Sequence, residues 1–388
     1  MQAVADAQEE ARSGAKAVLR TANVSAFEPE PAAALMRALG PGPFALVLIF
    51  AAPRAPMEAL AAAAAAWPGA QAVIGCTTAG EITGAGYAED EIVGVGLPAE
   101  LFEVEVMPIP DLDRIGDRAM LRDMAEARQR VEGRRPDWSS DFAMLLVDGL
   151  SRREDALAAA LSAGIGRMPL FGGSAGDGEA FGQTRILIDG RWHANAAVLA
   201  FVRTACRASV FNLDHFDPTE ERMIVTEADP EARVVRRLNG EPAAREYARV
   251  LGLDRAQLSA FTFAAHPLVV RIGGRHHVRA IQRVTEAGEL VFYAAIDEGM
   301  VLSLAEPRDI AAHLDTAFEA MARAEGPPAS ILAFDCILRR LEATEKQLGG
   351  KMSAVLRKHH IVGFSTYGEQ MNGLHVNQTM TGVALHLP

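Results

Sequence analysis

Residues 73–82 read VIGCTTAGEI. An apolar pair runs into Gly75, small residues follow, and a second glycine, Gly80, hands over to the acid Glu81. The same cadence returns as GGSAGD at 172–177 and as GFSTYGE at 363–369. Each copy follows an apolar stretch, and each is followed by another: 92–97, 196–202 and 382–387. Further upstream the likeness continues. An apolar run (ALVLIF at 45–50, AMLLVDG at 143–149, ILAFDC at 331–336) precedes an amphipathic stretch (57–66, 154–166, 338–358) in all three. Short β-type runs alternating with helical stretches indicate strand–helix–strand units. The chain therefore reads as three related strand–helix–strand–loop–strand units in one or two mixed sheets, a mixed α+β (α/β) fold.

Between the second and third units, roughly 205–328, the pattern changes. Strands are expected at 209–213, 234–235, 268–272, 277–283 and 290–295, with a helix near 241–251. Gly273-Gly274 has the form of a hairpin turn, because paired glycines take positive φ without steric penalty. An amphipathic helix over 309–324 ends at Gly326-Pro327-Pro328. This suggests two domains, 20–204 and 205–388.

The 388 residues allow about two to three domains. With 49% apolar and 23% charged residues, a packed core needs no staples. A net charge of −12, from 38 basic and 50 acidic residues, argues against a nucleic-acid partner. Cys76, Cys206 and Cys336 lie far apart, without metal-ligand spacing, and fit a reducing compartment. The N-terminal residues lack a signal-peptide core, and no apolar run spans a bilayer. A cytoplasmic protein without membrane insertion is expected.

A Gly–small–small–Gly turn after a strand can aim backbone N–H groups at an anion, or can simply make a tight corner. On the first reading Gly75, Thr77, Thr78, Gly173, Ser174, Ser365 and Thr366 are ligand-binding candidates. None of the three motifs is a phosphate-binding loop or a dinucleotide fingerprint. Glu81, Asp177 and Glu369 each end a motif. They either converge in one cleft or cap turns, and with Cys76 they are the basis of an alternative reading as an enzyme.

Together VIGCTTAGEI (73–82), LFGGSAGDG (170–178) and VGFSTYGEQ (362–370) resemble the FIST family, a bacterial sensory module with N- and C-terminal regions. The likeness extends from about residue 20 to 388. HPLVVRIGG (266–274), VFYAAIDEGMVL (291–302), FDCILRRLE (334–342) and GFSTYGEQMNGLHVNQTMTGVAL (363–385) resemble the nitric-oxide-sensing, haem-binding FIST proteins. The resemblance implies a sensor rather than an enzyme. It implies haem b, nitric oxide as signal, and a histidine kinase or a cyclic-di-GMP enzyme as partner. Self-association into a homodimer stays open, as does a haem-free sensor of an amino acid or other anion. Among residues able to hold haem iron, His375 in LHVNQT is the first choice, and His313 and Tyr367 are others. Asn377, Gln378 and Thr379 either bind a ligand or satisfy a loop. Arg339 is the candidate partner for a propionate; Arg279, beside the Gly273-Gly274 turn, reads as a surface or ion-pair arginine.

Overall fold

A computed structural model describes residues 17–388; the reading of residues 1–16 as free of a signal core lies outside it. The first unit comprises β1 (Arg20–Ser25), α1 (Pro31–Leu39), β2 (Phe44–Ala51), α2 (Met57–Ala65), β3 (Val73–Thr77), the hairpin β4–β5 (Glu81–Thr83, Gly86–Ala88) and β6 (Glu91–Pro98). The second repeats it with β7 (Phe102–Ile109), α3 (Arg118–Arg134), β8 (Ser140–Val147), α4 (Glu154–Ile165), β9 (Leu170–Ser174), the hairpin β10–β11 (Ile186–Ile188, Arg191–His193) and β12 (Ala197–Thr204).

The third unit starts at β13 (Arg207–Leu213) and is interrupted by an insertion. The insertion holds β14 (Phe216–Asp229), β15 (Val234–Leu238), β16 (Glu241–Pro242), α5 (Ala243–Leu251), α6 (Ala260–Ala265), β17 (Leu268–Ile272), β18 (Arg275–Arg279), β19 (Ile281–Val284), β20 (Leu290–Phe292) and β21 (Val301–Pro307). The unit then resumes with α7 (Ile310–Glu325), β22 (Ser330–Cys336), α8 (Ile337–Glu345), α9 (Gly349–Lys358), β23 (Ile361–Thr366), the hairpin β24–β25 (Glu369–Met371, Leu374–Val376) and β26 (Met380–His386).

The mixed α+β reading holds, but the sheets among the described residues number four rather than one or two. Each unit builds one mixed sheet around one parallel pair: β2–β3, β8–β9 or β22–β23. Parallel neighbours need a crossover, which the intervening helices supply. The insertion forms a separate antiparallel sheet. The sequence boundaries of the insertion, 205–328, were too wide, because β13 and α7 belong to the third unit. Asp309 starts α7 by accepting from the N–H groups of Ala311 and Ala312, a standard N-cap, and Gly326 at positive φ stops it.

The hairpins are exchanged in a cycle. That of unit one extends the sheet of unit three (β4 on β23), that of unit three extends unit two (β24 on β9), and that of unit two extends unit one (β10 on β3). The pairings β4–β23 and β24–β9 cross the suggested domain boundary at 204/205. At the junction, Ala79 N–H donates to Ser365 O (2.8 Å), Tyr367 N–H to Ser174 O (3.2 Å), and Gly176 N–H to Thr77 O (3.0 Å). The three sheets share one core in which Phe50, Phe171, Phe334 and Phe364 meet at centroid distances of 4.6–5.8 Å. No helix among the described residues is long and apolar enough to cross a membrane.

Candidate functional site

The insertion folds back onto the last hairpin. Arg279, at the end of β18, donates from Nη1 to His375 O at 3.3 Å, and Gln378 donates from Nε2 to Ala264 O at 3.2 Å. Arg233 reaches across to Glu154 and Asp155 at the start of α4 (2.6 and 3.1 Å). Along this seam polar groups are buried without partners: both amide atoms of Asn377, Oε1 of Gln378, Nε of Arg279 and, on the neighbouring β24, Oε1 of Gln370. They are five of the ten such side-chain atoms among the described residues. A buried polar group left unpaired costs about 1–3 kcal/mol, and folded proteins normally satisfy nearly all of them. Such a concentration suits a polar guest. A cleft of about 910 Å³ opens at the Asp155–Arg233 end of the seam, lined in part by Asp148, Arg153 and Arg185; none of the residues with unpaired atoms lines it. Its volume falls within the range of small-molecule sites. Asp155 and Arg233 on its wall stand within electrostatic reach of His375.

Most motif residues singled out from the sequence are spent on the junction. Gly75 lies against the backbone of Ile49, where a methyl group would stand 2.1 Å from the carbonyl oxygen. Gly173 is closed in by Thr366 and Phe334. The Thr77 hydroxyl accepts from Arg185 N–H at 3.0 Å, and that of Ser174 accepts from Gln370 Nε2 at 2.9 Å. Thr78 donates to Glu81, and Thr366 to Glu369. Ser365 alone of the seven keeps a buried polar side chain without a partner. The three acids each have local work. Burial pushes Glu81 up to about 7 and Glu369 up to about 8, against the hydrogen bonds from Thr78 and Thr366. Asp177 instead closes a turn, accepting from the N–H groups of Gly182 and Gln183 (2.8 and 2.6 Å). Cys76 and Cys336 are buried, and burial raises both thiols well above their usual range, which disfavours a thiolate nucleophile.

The residues expected around haem are divided among separate networks. His375 is buried, and burial holds its imidazole neutral. Its Nδ1 stands 3.2 Å from Gln370 Nε2. The opposite edge is packed on Gly368: a methyl group there would lie 2.4 Å from Cε1 and 2.9 Å from Nε2. The Tyr367 hydroxyl accepts from Asp177 N–H and Phe181 N–H (3.1 and 3.2 Å), donates to the Asp177 carboxylate, and has its ring stacked on Phe181. Arg339 is fully buried between Asp335 Oδ1 (2.7 Å) and His215 Nδ1 (2.9 Å). An arginine only donates, so His215 carries its proton on Nε2 and donates it to Glu342 at 2.9 Å. His313 is half-buried on α7. As folded, these residues do not fit a haem: neither imidazole edge of His375 is open, and Tyr367 and Arg339 are already engaged.

The sequence hinted at Asn377 and Gln378 through a polar run inside an apolar frame. It did not reveal Gln370, His215 or the burial of Arg279. Arg279 is only 4% exposed, so the surface-arginine reading is corrected. The alternation His277-Val278-Arg279 carries no sign that the strand end is covered by the last hairpin, about 100 residues on.

Comparison with known families adds two matches. Residues 45–241 match the family model described as the FIST N domain, and residues 243–372 that of the FIST C domain. No curated protein matches the chain.

Proposed function

Since this chain belongs to the FIST family, whose domains are associated with sensory signal transduction, we propose that it is a sensor whose signal is a small polar molecule taken up at the seam between the insertion and the last hairpin. The observation that carries this reading is the group of unpaired buried polar atoms on Gln370, Asn377, Gln378 and Arg279. A guest that pairs them would join β18 of the insertion to β24–β25 of the body, so its arrival would be felt by both. A bound ligand stabilises by about 2.7 kcal/mol at a hundredfold excess over its Kd.

The test is a thermal-shift screen of small polar metabolites on the purified chain and on Asn377→Leu. A hit whose shift vanishes in Asn377→Leu, with the free variant no less stable than wild type, supports the reading. A free Asn377→Leu protein that melts far below wild type would show the amide to be satisfied already, and the reading fails.

Haem-borne nitric-oxide sensing is the second reading. It rests on the resemblance of 266–302 and 331–385, and the packing around His375 weighs against it. An absorption spectrum after haem reconstitution decides: a stoichiometric Soret band that shifts with nitric oxide would favour it. A histidine kinase or a cyclic-di-GMP enzyme remains the partner class that the resemblance implies, to be sought by pull-down with and without ligand.

A further inference from the structure

Arg279 is a buried cation with no anion. No carboxylate lies within salt-bridge distance of it among the described residues; its Nη1 meets only the carbonyl oxygens of Val278 and His375, at 3.2 and 3.3 Å, and its Nε meets nothing. Asp155 and Asp297 act on it only from further away, and Asp155 is already held by Arg233 and by the N–H of Ala295. The other buried arginine among the described residues differs: Arg339 is compensated by Asp335 at 2.7 Å, and the less buried Arg233 likewise has Glu154 at 2.6 Å. A guanidinium largely removed from water and left without an anion is disfavoured, and buried charges in folded proteins are normally paired. The missing counter-charge has a natural source, the guest of the seam.

Its neighbours narrow the chemistry. The Gln378 amide is fixed in orientation, because its nitrogen donates to Ala264 O, so Oε1 is left as an unpaired acceptor. Asn377 offers one unpaired acceptor and one unpaired donor. One cation among amide oxygens favours a single negative charge and disfavours a dianion. The guanidinium fork matches a carboxylate. Resting on the polar-guest reading above, we propose that Arg279 anchors the carboxylate of a singly charged organic acid that also carries hydroxyl donors for the amides of Asn377 and Gln378.

The experiment compares wild type with Arg279→Met and Arg279→Lys by thermal shift and calorimetry at fixed ionic strength. The probes are hydroxymonocarboxylates, each beside its uncharged amide, with inorganic phosphate as a third arm. We expect an acid, and not its amide, to raise the melting temperature of wild type. Arg279→Met should lose at least tenfold in affinity, Arg279→Lys less. The free Arg279→Met protein should melt no lower than wild type, since it loses an uncompensated charge. A free Arg279→Met protein melting many degrees lower would mark Arg279 as a structural strut and overturn the proposal. So would an amide binding as well as its acid, or phosphate binding in the acid's place. Silence from every acid would also overturn it. If a neutral probe binds and Asn377→Leu abolishes that binding, the anion anchor falls while the polar-guest reading stands.

Discussion

Glu369 shows how a buried side chain couples the fold to pH. It is wholly enclosed, and accepts from Thr379 Oγ at 2.7 Å as well as from Thr366. Burial favours its neutral form, lifting it to about 8. With the folded value above the unfolded one near 4.5, the folded state holds the proton more tightly. That contribution to stability is complete below about pH 4.5 and is lost as pH rises through 8. Glu369→Gln, which mimics the protonated acid, should match wild type near pH 5 and exceed it near pH 9. The gap should grow by at most about 1.4 kcal/mol per pH unit between the two values. Urea midpoints at pH 5, 7 and 9 measure it, and a gap that grows in favour of wild type would refute the assignment. The acid itself was visible in the sequence as the last letter of a motif. Its burial was not, because the walls around it come from Thr379 on one side and from Gly173, opposite in the sheet, on the other.

At the level of strands and helices, the glycines opening the three motifs are geometric necessities. A methyl group at Gly363 would lie 1.7 Å from Ala333 O, and one at Gly172 would lie 2.8 Å from Leu145 O. Gly363→Ala should therefore cost about 3 kcal/mol, towards the upper end for overpacking, and Gly172→Ala distinctly less. Guanidinium midpoints give the ranking, and the reverse order would sink the explanation. Much at this scale was legible. The buried strands β2, β8 and β22, the helices α2, α4 and α7, and the Gly273-Gly274 hairpin turn all stand where periodicity put them, because each is decided by local pattern. The stretch 338–358, one helical run by its local pattern, is split into α8 and α9 by Gln347 at positive φ. The long strand β14 was missed for another reason. Its run DPTEERMIVTEAD is mostly polar, begins beside a proline, and is held by β15 and β21 on either side, with irregular register on both. Partner strands decided that element, and partners leave no trace in local pattern.

For the molecule as a whole, the exchanged hairpins bind the units into a closed circuit. Three repeats are legible in the sequence; which hairpin belongs to which sheet is not, since the pairing β24–β9 joins positions roughly 200 residues apart. A cut between residues 204 and 205 leaves β9 an open edge in one piece and strips β4–β5 from β23 in the other. It also divides the phenylalanine core. Fragments 17–204 and 205–388 should each be insoluble or unfolded when expressed alone, and should form a soluble complex when expressed together. Circular dichroism and size-exclusion chromatography check this, and a monomeric, natively folded 17–204 fragment would refute it. The circuit also has a consequence during synthesis. β9 leaves the ribosome roughly 200 residues before β24, which at about 5–20 residues per second is a wait of about 10–40 seconds. For that interval the nascent chain carries an uncapped hydrogen-bonding edge, the kind that recruits other strands. Chaperone occupancy while residues 175–370 are being made is therefore the step on which the yield of this protein should depend most.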